Sequence, residues 1–353
     1  MDEHRTLWWD EASSVLCFID QTALPGEVRF VRCDSVERLV DAIRRLEIRG
    51  APALGVAGAY GVVLAAKARR DASGRDQEEL QRRFQEEVDR LELARPTAVN
   101  LSWGVRRVLS RLEASGDPAA AFESALREAH AIARKDGEIC ERIGDHGAAL
   151  IPDGSTVMTH CNAGALACTR WGTALGVVRS AVRQGKLVKV IACETRPLLQ
   201  GSRLTAWELV RDRIDVSVVP DSSAAFLMRR GEVDLVIVGA DRITRGAVFN
   251  KIGTYMHAVC ARHHHIPFYV AAPHSTFDRT GKEADVVIER RPAEEISWSG
   301  SRRVVPEGAG VINYAFDATP LNLVDALITE DGVIRPPFAH LSGCYDDDPY
   351  ARR

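Results

Sequence analysis

Five apolar runs in the second half of the chain each end in a cluster of polar residues. The runs are short, rich in β-branched residues and bounded by turn-forming residues, a pattern that indicates strands buried on both faces. They span residues 156–159, 188–193, 216–219, 234–239 and 267–272, and the clusters that follow begin at His160, Glu194, Pro220, Ala240 and Pro273.

Helical patterns lie between most of these runs, which predicts strands joined by crossover helices and therefore a parallel sheet. In an open parallel sheet, ligands bind beyond the carboxyl ends of the strands. A strand made only for packing has no need of Cys, Glu, Arg and Asp at one end. We therefore expect the functional site at this edge of the sheet.

The first half of the chain has a different pattern. Residues 1–33 contain short alternating runs broken by turns and predict a small antiparallel β meander. Residues 35–148 are mostly helical in pattern. The expected fold class is α/β, with a mostly helical N-terminal domain that includes the meander, followed by a Rossmann-like parallel-sheet domain. The expected boundaries are 1–125 and 126–345, with an acidic tail at 346–353.

Composition narrows the class of protein. With 353 residues, the chain exceeds the size at which single cores stop growing, so two domains are expected. A net charge of −3 gives no bias toward nucleic acid. We find no apolar run long enough for a membrane span and no signal-peptide core, which favours a cytoplasmic location. The 8 cysteines show no CxxC pair and no zinc-ligand spacing, so we expect neither a disulfide framework nor a metal.

Cys161 is the first candidate for catalysis. It follows the run at 156–159, where the pattern predicts a strand that turns directly into a helix. The N–H groups of a helix N-terminus favour a thiolate, so Cys161 is placed as a base or nucleophile. The alternative is a buried structural cysteine, which is how most of the other seven are interpreted.

Asp241 follows the run at 234–239 and is the second candidate. Burial at the mouth of a sheet favours the protonated carboxyl, which makes a general acid. A helix cap or an ion pair with Arg242 would explain the same residue without catalysis.

Two other segments suit a phosphate group. Arg49 and Gly50 stand immediately before an apolar helix that begins at Ala51, where backbone N–H groups and a guanidinium can hold an anion. Asn250 and Lys251 lie in an apparent loop before another helix. Packing explains the first segment equally well, and a solvated loop explains the second. The run His263–His265 chelates a metal poorly, because adjacent side chains diverge.

Taken together, these motifs resemble the methylthioribose-1-phosphate isomerase family, within the superfamily that also contains the regulatory subunits of eukaryotic initiation factor 2B. Each matching piece is short, but their order and combination are specific. The pieces lie at residues 19–25, 48–52, 94–100, 159–164, 194–197, 200–205, 239–243 and 250–254.

The resemblance implies a homodimer that needs no cofactor and no metal, with Cys161 and Asp241 as the catalytic pair. It implies a small-molecule sugar phosphate as partner, and the charge and the lack of a long apolar run add the expectation of no nucleic acid and no membrane. The substrate contacts that it implies are Arg49, Gly50, Ala51, Arg95, Gln200, Asn250 and Lys251.

The implied reaction converts 5-methylthioribose 1-phosphate to 5-methylthioribulose 1-phosphate in methionine salvage, a route of methionine and amino-acid biosynthesis. Asp241 would assist departure of the ring oxygen, and hydrogen would then move from C2 to C1, either through Cys161 as base or by a hydride shift. Three alternatives remain: an isomerase of ribose 1,5-bisphosphate, one of 5-deoxyribose 1-phosphate, and a non-catalytic regulatory subunit of the initiation-factor type.

Overall fold

A computed structural model describes residues 5–72, 76–95, 99–112, 117–278 and 283–338 of the chain. The expected acidic tail at 346–353 lies outside these residues. The chain divides into two units, the first running to Arg142 and including Gly164–Gly176, the second made of Ile143–Ala163 and the chain from Val177 onward. The domain boundaries expected from sequence remain predictions.

The first unit begins with the predicted antiparallel meander, in the order β1, β2, β3. The central strand is buried along its whole length, and its Leu16 and Phe18 belong to the hydrophobic core of this unit. The strands are β1 (Leu7–Asp10), β2 (Val15–Ile19) and β3 (Phe30–Cys33).

Helices supply the rest of the first unit and agree with the predicted pattern. Ser35 caps the first of them, with its hydroxyl accepting the N–H of Arg38 at 3.4 Å. The last of them is one continuous helix of 31 residues. The helices are α1 (Val36–Arg44), α2 (Ala51–Asp71), α3 (Gln77–Glu92), α4 (Val99–Leu109) and α5 (Pro118–Ala148).

Helix α2 is the centre of the first core. With a mean hydropathy of 1.4, it is long and apolar enough to cross a membrane. From the sequence we expected no segment of that length and apolarity. However, 83% of that apolar window is buried inside the protein, as in the core helix of a globular unit. Its glycines allow close packing: a Cβ on Gly58 would lie 2.6 Å from the carbonyl oxygen of Leu101 on α4.

From residue 155 onward the chain alternates strands with helices. The strands are β4 (Ser155–Thr159), β5 (Val188–Cys193), β6 (Asp215–Val219), β7 (Leu235–Val238), β8 (Arg242–Ile243), β9 (Ala247–Lys251), β10 (Phe268–Ala271), β11 (Trp298–Ser299), β12 (Arg302–Arg303), β13 (Phe316–Pro320), β14 (Ala326–Thr329) and β15 (Gly332–Ile334). The helices are α6 (Ala174–Arg183), α7 (Ala206–Arg211), α8 (Ala224–Arg229), α9 (Thr254–His263) and α10 (Glu294–Ser297).

The main sheet of the second unit has the order β15, β14, β10, β7, β4, β5, β6. All of its strands are parallel except β15, which pairs antiparallel with β14. The five predicted runs are β4, β5, β6, β7 and β10, which stand next to one another in this sheet. The predicted parallel sheet is therefore confirmed, within the expected mixed α/β fold.

Strand β6 departs from the expectation of burial on both faces. It is an edge strand of the sheet, and none of its five residues is buried. The apolar run at 216–219 predicts a strand correctly, but its position in the sheet decides how much of it is covered.

A second, smaller sheet carries part of the expected site. Its antiparallel order is β13, β9, β8. Asn250 and Lys251 are the last residues of β9. The prediction that they lie in a loop is therefore wrong, although α9 follows closely at Thr254, as expected.

Candidate active site

The order in which the chain adds strands to the sheet changes direction at β4. As a result, the strands that precede the two candidate catalytic residues, Cys161 and Asp241, are neighbours in the sheet. From β4 the chain adds β5 and β6 on one side, whereas β7 lies on the other. Val157 and Met158 of β4 pair directly with Leu235 and Val236 of β7. Cys161 and Asp241 follow the carboxyl ends of these two neighbouring strands. A crevice at such a switch point is the usual ligand site of an open parallel sheet.

Cys161 has an unusual backbone held from both sides. Its φ is 63°, a left-handed conformation that a residue with a Cβ adopts at a cost of about 1–3 kcal/mol. Its N–H donates to the hydroxyl of Thr195 at 2.8 Å, and its carbonyl accepts the hydroxyl of Thr205 at 2.7 Å. The side chain is partly exposed, unlike most of the described cysteines. Cys161 is therefore not a simple core residue.

No α-helix follows Cys161 directly; the next helical element is a single 3₁₀ turn at Ala165–Ala167. Helix α6 begins only at Ala174. The argument that a helix N-terminus stabilises the thiolate is therefore wrong. Instead, the next residue turns inward: the side-chain amide of Asn162 donates to Glu208 at 2.8 Å.

Glu208 belongs to a buried charged group that fixes this side of the site. Its other oxygen pairs with the guanidinium of Arg179 at 2.7 Å, and Arg179 also lies 2.6 Å from Asp212. Arg179 and Glu208 are both about 3–4% exposed, so their charges are compensated within the protein. The network ties Asn162 to α6 and α7.

Thr195 is held in turn by Asp221, at the end of β6. Its φ is 67°, which is rare for a β-branched residue. The carboxylate of Asp221 accepts the N–H of Thr195 at 2.8 Å and that of Arg196 at 2.7 Å. The hydroxyl of Thr195 donates to the carbonyl of Cys193 at 2.9 Å. The clusters after β4, β5 and β6 thus form one bonded assembly. Thr195, Thr205 and Asp221 lie in sequence segments expected near the site, but no sequence pattern assigned any of them a role of its own.

Asp241 lies in the short segment between β7 and β8. Its N–H donates to the carbonyl of Phe249 at 2.9 Å, so its backbone is fixed against β9. The helix-cap interpretation of Asp241 is wrong, because strand β8 begins at the next residue. The guanidinium of Arg242 lies 3.5 Å from the carboxylate of Asp278. The Asp241 side chain is partly exposed and therefore accessible at the sheet edge.

Gln200 and Lys251, two of the expected substrate contacts, line the same pocket in the second unit. The empty space in this pocket is about 190 Å³, which includes part of the open solvent at its mouth. Gln200 is 5% exposed, and its side-chain oxygen has no hydrogen-bond partner among the described residues. The pocket also includes Pro197, Leu198, Ile252, Arg291, Glu295, Asn313, Tyr314 and Ala315.

The Asn250–Lys251 strand end is fixed by the start of α9. The side-chain amide of Asn250 donates to the hydroxyl of Thr254 at 3.1 Å. Asp317, which lies opposite Asn250 on β13, accepts the N–H of Gly253 at 2.7 Å and that of Tyr255 at 3.1 Å. Burial raises the pKa of Asp317 to about 6, although these two bonds favour its charged form.

Arg49, Gly50, Ala51 and Arg95 belong to the first unit. Arg49 is 9% exposed, and Ala51 is the first residue of α2. Gly50 has a φ of 95°, and a Cβ there would lie 2.5 Å from the Cα of Ala167. Packing alone therefore requires glycine at this position. The substrate contacts expected of these four residues remain predictions.

Two groups of side chains have the donor atoms of a metal site, although their spacing in sequence gave no sign of it. In the second unit, ligand atoms of His160, Cys193, Asp221 and His257 all lie within 4.8 Å of one another. In the first unit, the same holds for Asp136, Cys140 and Cys168.

Several of these possible ligand atoms already take part in hydrogen bonds. His160 Nε2 lies 2.8 Å from the carbonyl of Ile252, and its Nδ1 lies 3.1 Å from Nε2 of His257. The carboxylate of Asp136 accepts the N–H and hydroxyl of Thr169 at 2.7 Å and 2.6 Å, and burial raises its pKa to about 6. The expectation that the protein needs no metal remains a prediction.

Comparison with known proteins places the chain among relatives of nearly equal length. The family model described as the initiation factor 2 subunit family matches residues 47–336. The methylthioribose-1-phosphate isomerase of Roseiflexus sp. (strain RS-1) is 52% identical over 340 residues, covering 95% of this chain and 96% of the relative. The 5-deoxyribose 1-phosphate isomerase of Moorella thermoacetica is 51% identical over 325 residues, covering 91% and 92%.

Solved structures agree on the fold. The crystal structure of 5-methylthioribose 1-phosphate isomerase from Pyrococcus horikoshii OT3 matches with a TM-score of 0.89 at 38% identity, covering 98% of each chain. The crystal structure of the translation initiation factor eIF-2B, subunit delta, from A. fulgidus matches with a TM-score of 0.87 at 52% identity, covering 97% of this chain and 99% of that one.

Proposed function

The chain belongs to the initiation factor 2 subunit family, and we propose that it is an aldose–ketose isomerase that converts 5-methylthioribose 1-phosphate to 5-methylthioribulose 1-phosphate in methionine salvage. The observation that carries the proposal is the placement of Cys161 and Asp241 after β4 and β7, two strands that pair directly at the switch point of the sheet. The names of relatives about half identical over nearly the whole chain support the same activity.

The chemistry requires an acid and a means of moving hydrogen. The phosphate on the anomeric oxygen blocks the ring opening that a free aldose undergoes, so the ring oxygen has to leave while the phosphate stays. Asp241 donates a proton to that oxygen. Cys161 then removes the proton from C2 of the resulting oxocarbenium ion to give the cis enol phosphate; protonation at C1 and transfer of the C2 hydroxyl proton to the Asp241 carboxylate give the ketose. A direct hydride shift from C2 to C1 is the alternative route, and in that case Cys161 shapes the site without carrying the proton.

The substrate contacts that the family resemblance implies are kept as proposals. Gln200, Asn250 and Lys251 provide an amide oxygen, an amide and an ammonium group near one pocket. Arg49, Gly50, Ala51 and Arg95 provide guanidinium groups and the N-terminal N–H groups of α2, which suit a phosphate. The enzyme is proposed to act in the cytoplasm as a homodimer without a cofactor, with domains at 1–125 and 126–345.

A second substrate is favoured by a specific observation. A relative 51% identical is named 5-deoxyribose 1-phosphate isomerase, and that sugar shares an apolar 5-substituent with methylthioribose. Burial of a methylthio group in an apolar pocket contributes about 0.8 kcal/mol of favourable binding free energy for each CH₂-sized unit. A second phosphate at C5 loses hydration and needs a charged partner. The protein therefore accepts both apolar substrates and reacts poorly with ribose 1,5-bisphosphate.

The test is a comparison of kcat/KM for the three sugar phosphates, with each reaction monitored by the formation of the ketose product. We expect turnover of 5-methylthioribose 1-phosphate and 5-deoxyribose 1-phosphate, with much slower turnover of ribose 1,5-bisphosphate. A clear preference for the bisphosphate would move the chain to a sister isomerase while leaving the Cys161 and Asp241 chemistry in place. No turnover of any of the three would favour a non-catalytic regulatory subunit.

A further inference from the structure

We propose that Thr195 and Thr205 are positioning residues that together hold the backbone of Cys161 in its left-handed conformation and so aim its thiol at the substrate. The inference rests on the proposed function, in which Cys161 lies at the reacting carbons. Neither threonine is expected to touch the substrate.

The two hydroxyls bind the two polar groups of the Cys161 backbone. Thr195 Oγ1 accepts the N–H of Cys161 at 2.8 Å, and Thr205 Oγ1 donates to its carbonyl at 2.7 Å. Both threonines are fully buried, so water does not compete for these bonds. The φ of 63° at Cys161 is one that such a residue keeps only when its surroundings fix it.

The direction of each hydroxyl proton is settled by a second bond. A hydroxyl has one proton to donate. Thr195 Oγ1 gives its proton to the carbonyl of Cys193 at 2.9 Å, which leaves its lone pairs for the N–H of Cys161. Thr205 Oγ1 gives its proton to Cys161 and accepts the side-chain amide of Asn162 at 3.2 Å. Each threonine therefore has one donor and one acceptor role, which valine cannot reproduce and serine can.

Thr195 is itself fixed by charge. Asp221 accepts the N–H of Thr195 at 2.8 Å and of Arg196 at 2.7 Å. The φ of Thr195 is 67°, so this residue too depends on its surroundings for its conformation. The bonds run from the end of β6, through the end of β5, to Cys161 at the end of β4. Three neighbouring strands thus fix the backbone from which the Cys161 thiol projects.

The first measurement is steady-state kinetics of Thr195→Val and Thr195→Ser with 5-methylthioribose 1-phosphate. Misplacing a reacting group by about 1 Å costs on the order of 10²-fold in rate. We therefore expect Thr195→Val to lower kcat by roughly 10–100-fold with little change in KM, and Thr195→Ser to restore most of the rate. Thr319→Val is the matched control, because Thr319 is equally buried and its hydroxyl has no partner in the described part of the chain.

The second measurement does not require turnover. Iodoacetamide alkylation of Cys161 is followed by peptide mass spectrometry, with the partly exposed Cys260 as internal reference. We expect the ratio of the two alkylation rates to change by about 3-fold or more in Thr195→Val, and to stay at the wild-type value in Thr195→Ser and Thr319→Val. If the wild-type protein lacks isomerase activity, the proposed function fails while this ratio still tests the positioning role.

Unchanged kcat and an unchanged alkylation ratio in folded Thr195→Val would overturn the proposal. The proposal would also be overturned if Thr195→Val lowered kcat, Thr195→Ser did not restore it, and the alkylation ratio stayed at the wild-type value. That combination would indicate a general structural role for Thr195. If Thr195→Val does not fold, Thr205→Val and Thr205→Ser provide the same comparison on the carbonyl side of Cys161, with the same expected results.

Discussion

His257 Nε2 lies 3.1 Å from Nδ1 of His160, deep in the second unit. His160 is the residue immediately before Cys161 in the sequence. Both imidazoles are about 1% exposed. Burial lowers the pKa of His160 to about 4 and that of His257 to about 3. The pair is therefore neutral in the folded protein at neutral pH, with one ring donating to the other.

This pair predicts a loss of stability in mild acid. An unfolded histidine titrates near 6.5, so below that pH the unfolded chain binds protons that the folded pair does not. The free energy of unfolding therefore falls as the pH drops from 6.5 toward 4, by about 1 kcal/mol for each histidine between pH 7.5 and 5.5. Asp136 and Asp317 act in the opposite direction, because their pKa values are raised to about 6 and their protonation favours the folded state.

A substitution separates the histidine contribution from the rest. His257→Asn keeps a side-chain donor for His160 but removes one titrating group. Urea unfolding at pH 7.5 and 5.5 is expected to show a loss about 1 kcal/mol smaller than in the wild type. His263→Asn, at the exposed end of the same helix, is expected to lose as much as the wild type. Equal losses in all three proteins would contradict the prediction.

The strands of the second unit were largely predictable, because buried strands need runs of β-branched residues ended by turns. The run at 188–193 coincides with β5, and the other four differ from their strands by one or two residues. The exposure of β6 was not predictable, since it depends on which strands lie beside it. The capping of α1 by Ser35 was predictable because it is local.

The candidate site was predictable only in part. Motifs point to Cys161 and Asp241, but the bonds that hold Cys161 come from threonines 34 and 44 residues away in the chain. No local pattern shows that a threonine hydroxyl will reach a distant backbone. No α-helix follows Cys161 directly, and the side chain of Asn162 instead bonds to Glu208, which lies 46 residues away in the chain.

Cys161→Ser and Asp241→Asn are each expected to lower kcat by on the order of 10²-fold or more, because a group that transfers a proton cannot be replaced by one of unsuitable acidity. Steady-state kinetics and circular dichroism separate lost chemistry from lost folding. Cys260→Ser, at a partly exposed cysteine of α9, is the matched control and is expected to keep wild-type activity. Near-normal turnover in either of the first two variants would remove that residue from the catalytic role.

Arg49→Ala and Lys251→Ala are expected to weaken substrate binding more than chemistry. A charge-assisted bond to phosphate contributes roughly 1.5–3 kcal/mol, which corresponds to about a 10–100-fold rise in KM. Lys189→Ala removes the same charge from an exposed position of β5 and is expected to leave KM unchanged. If both test variants kept the wild-type KM, the phosphate assignment would be wrong.

Activity is expected to survive exhaustive treatment with a chelator, because the proposed reaction needs an acid and a base and no Lewis acid. The group His160, Cys193, Asp221 and His257 makes this test worthwhile, since its donor atoms are close enough to share an ion. Metal analysis of the purified protein should accompany the assay. Activity lost on chelation and restored by one divalent ion would show that this expectation is wrong.

Gly201→Ala is expected to damage the fold and the site together. A Cβ at Gly201 would lie 1.7 Å from the carbonyl oxygen of Cys193 and 2.9 Å from the hydroxyl of Thr195. The backbone has to move to relieve this overlap, at a cost of about 1–3 kcal/mol or more. The same carbonyl accepts the hydroxyl of Thr195, so the movement also displaces the residue that holds Cys161.

Two measurements check this outcome: urea unfolding, for the lowered stability, and kcat, for a loss that resembles that of Thr195→Val. Gly246→Ala is the matched control, because a Cβ there meets only Glu283 at an ordinary 3.5 Å. We expect it to match the wild type in both measurements. If Gly201→Ala were as stable and as active as Gly246→Ala, the close contact of Gly201 with Cys193 would have no part in holding the site together.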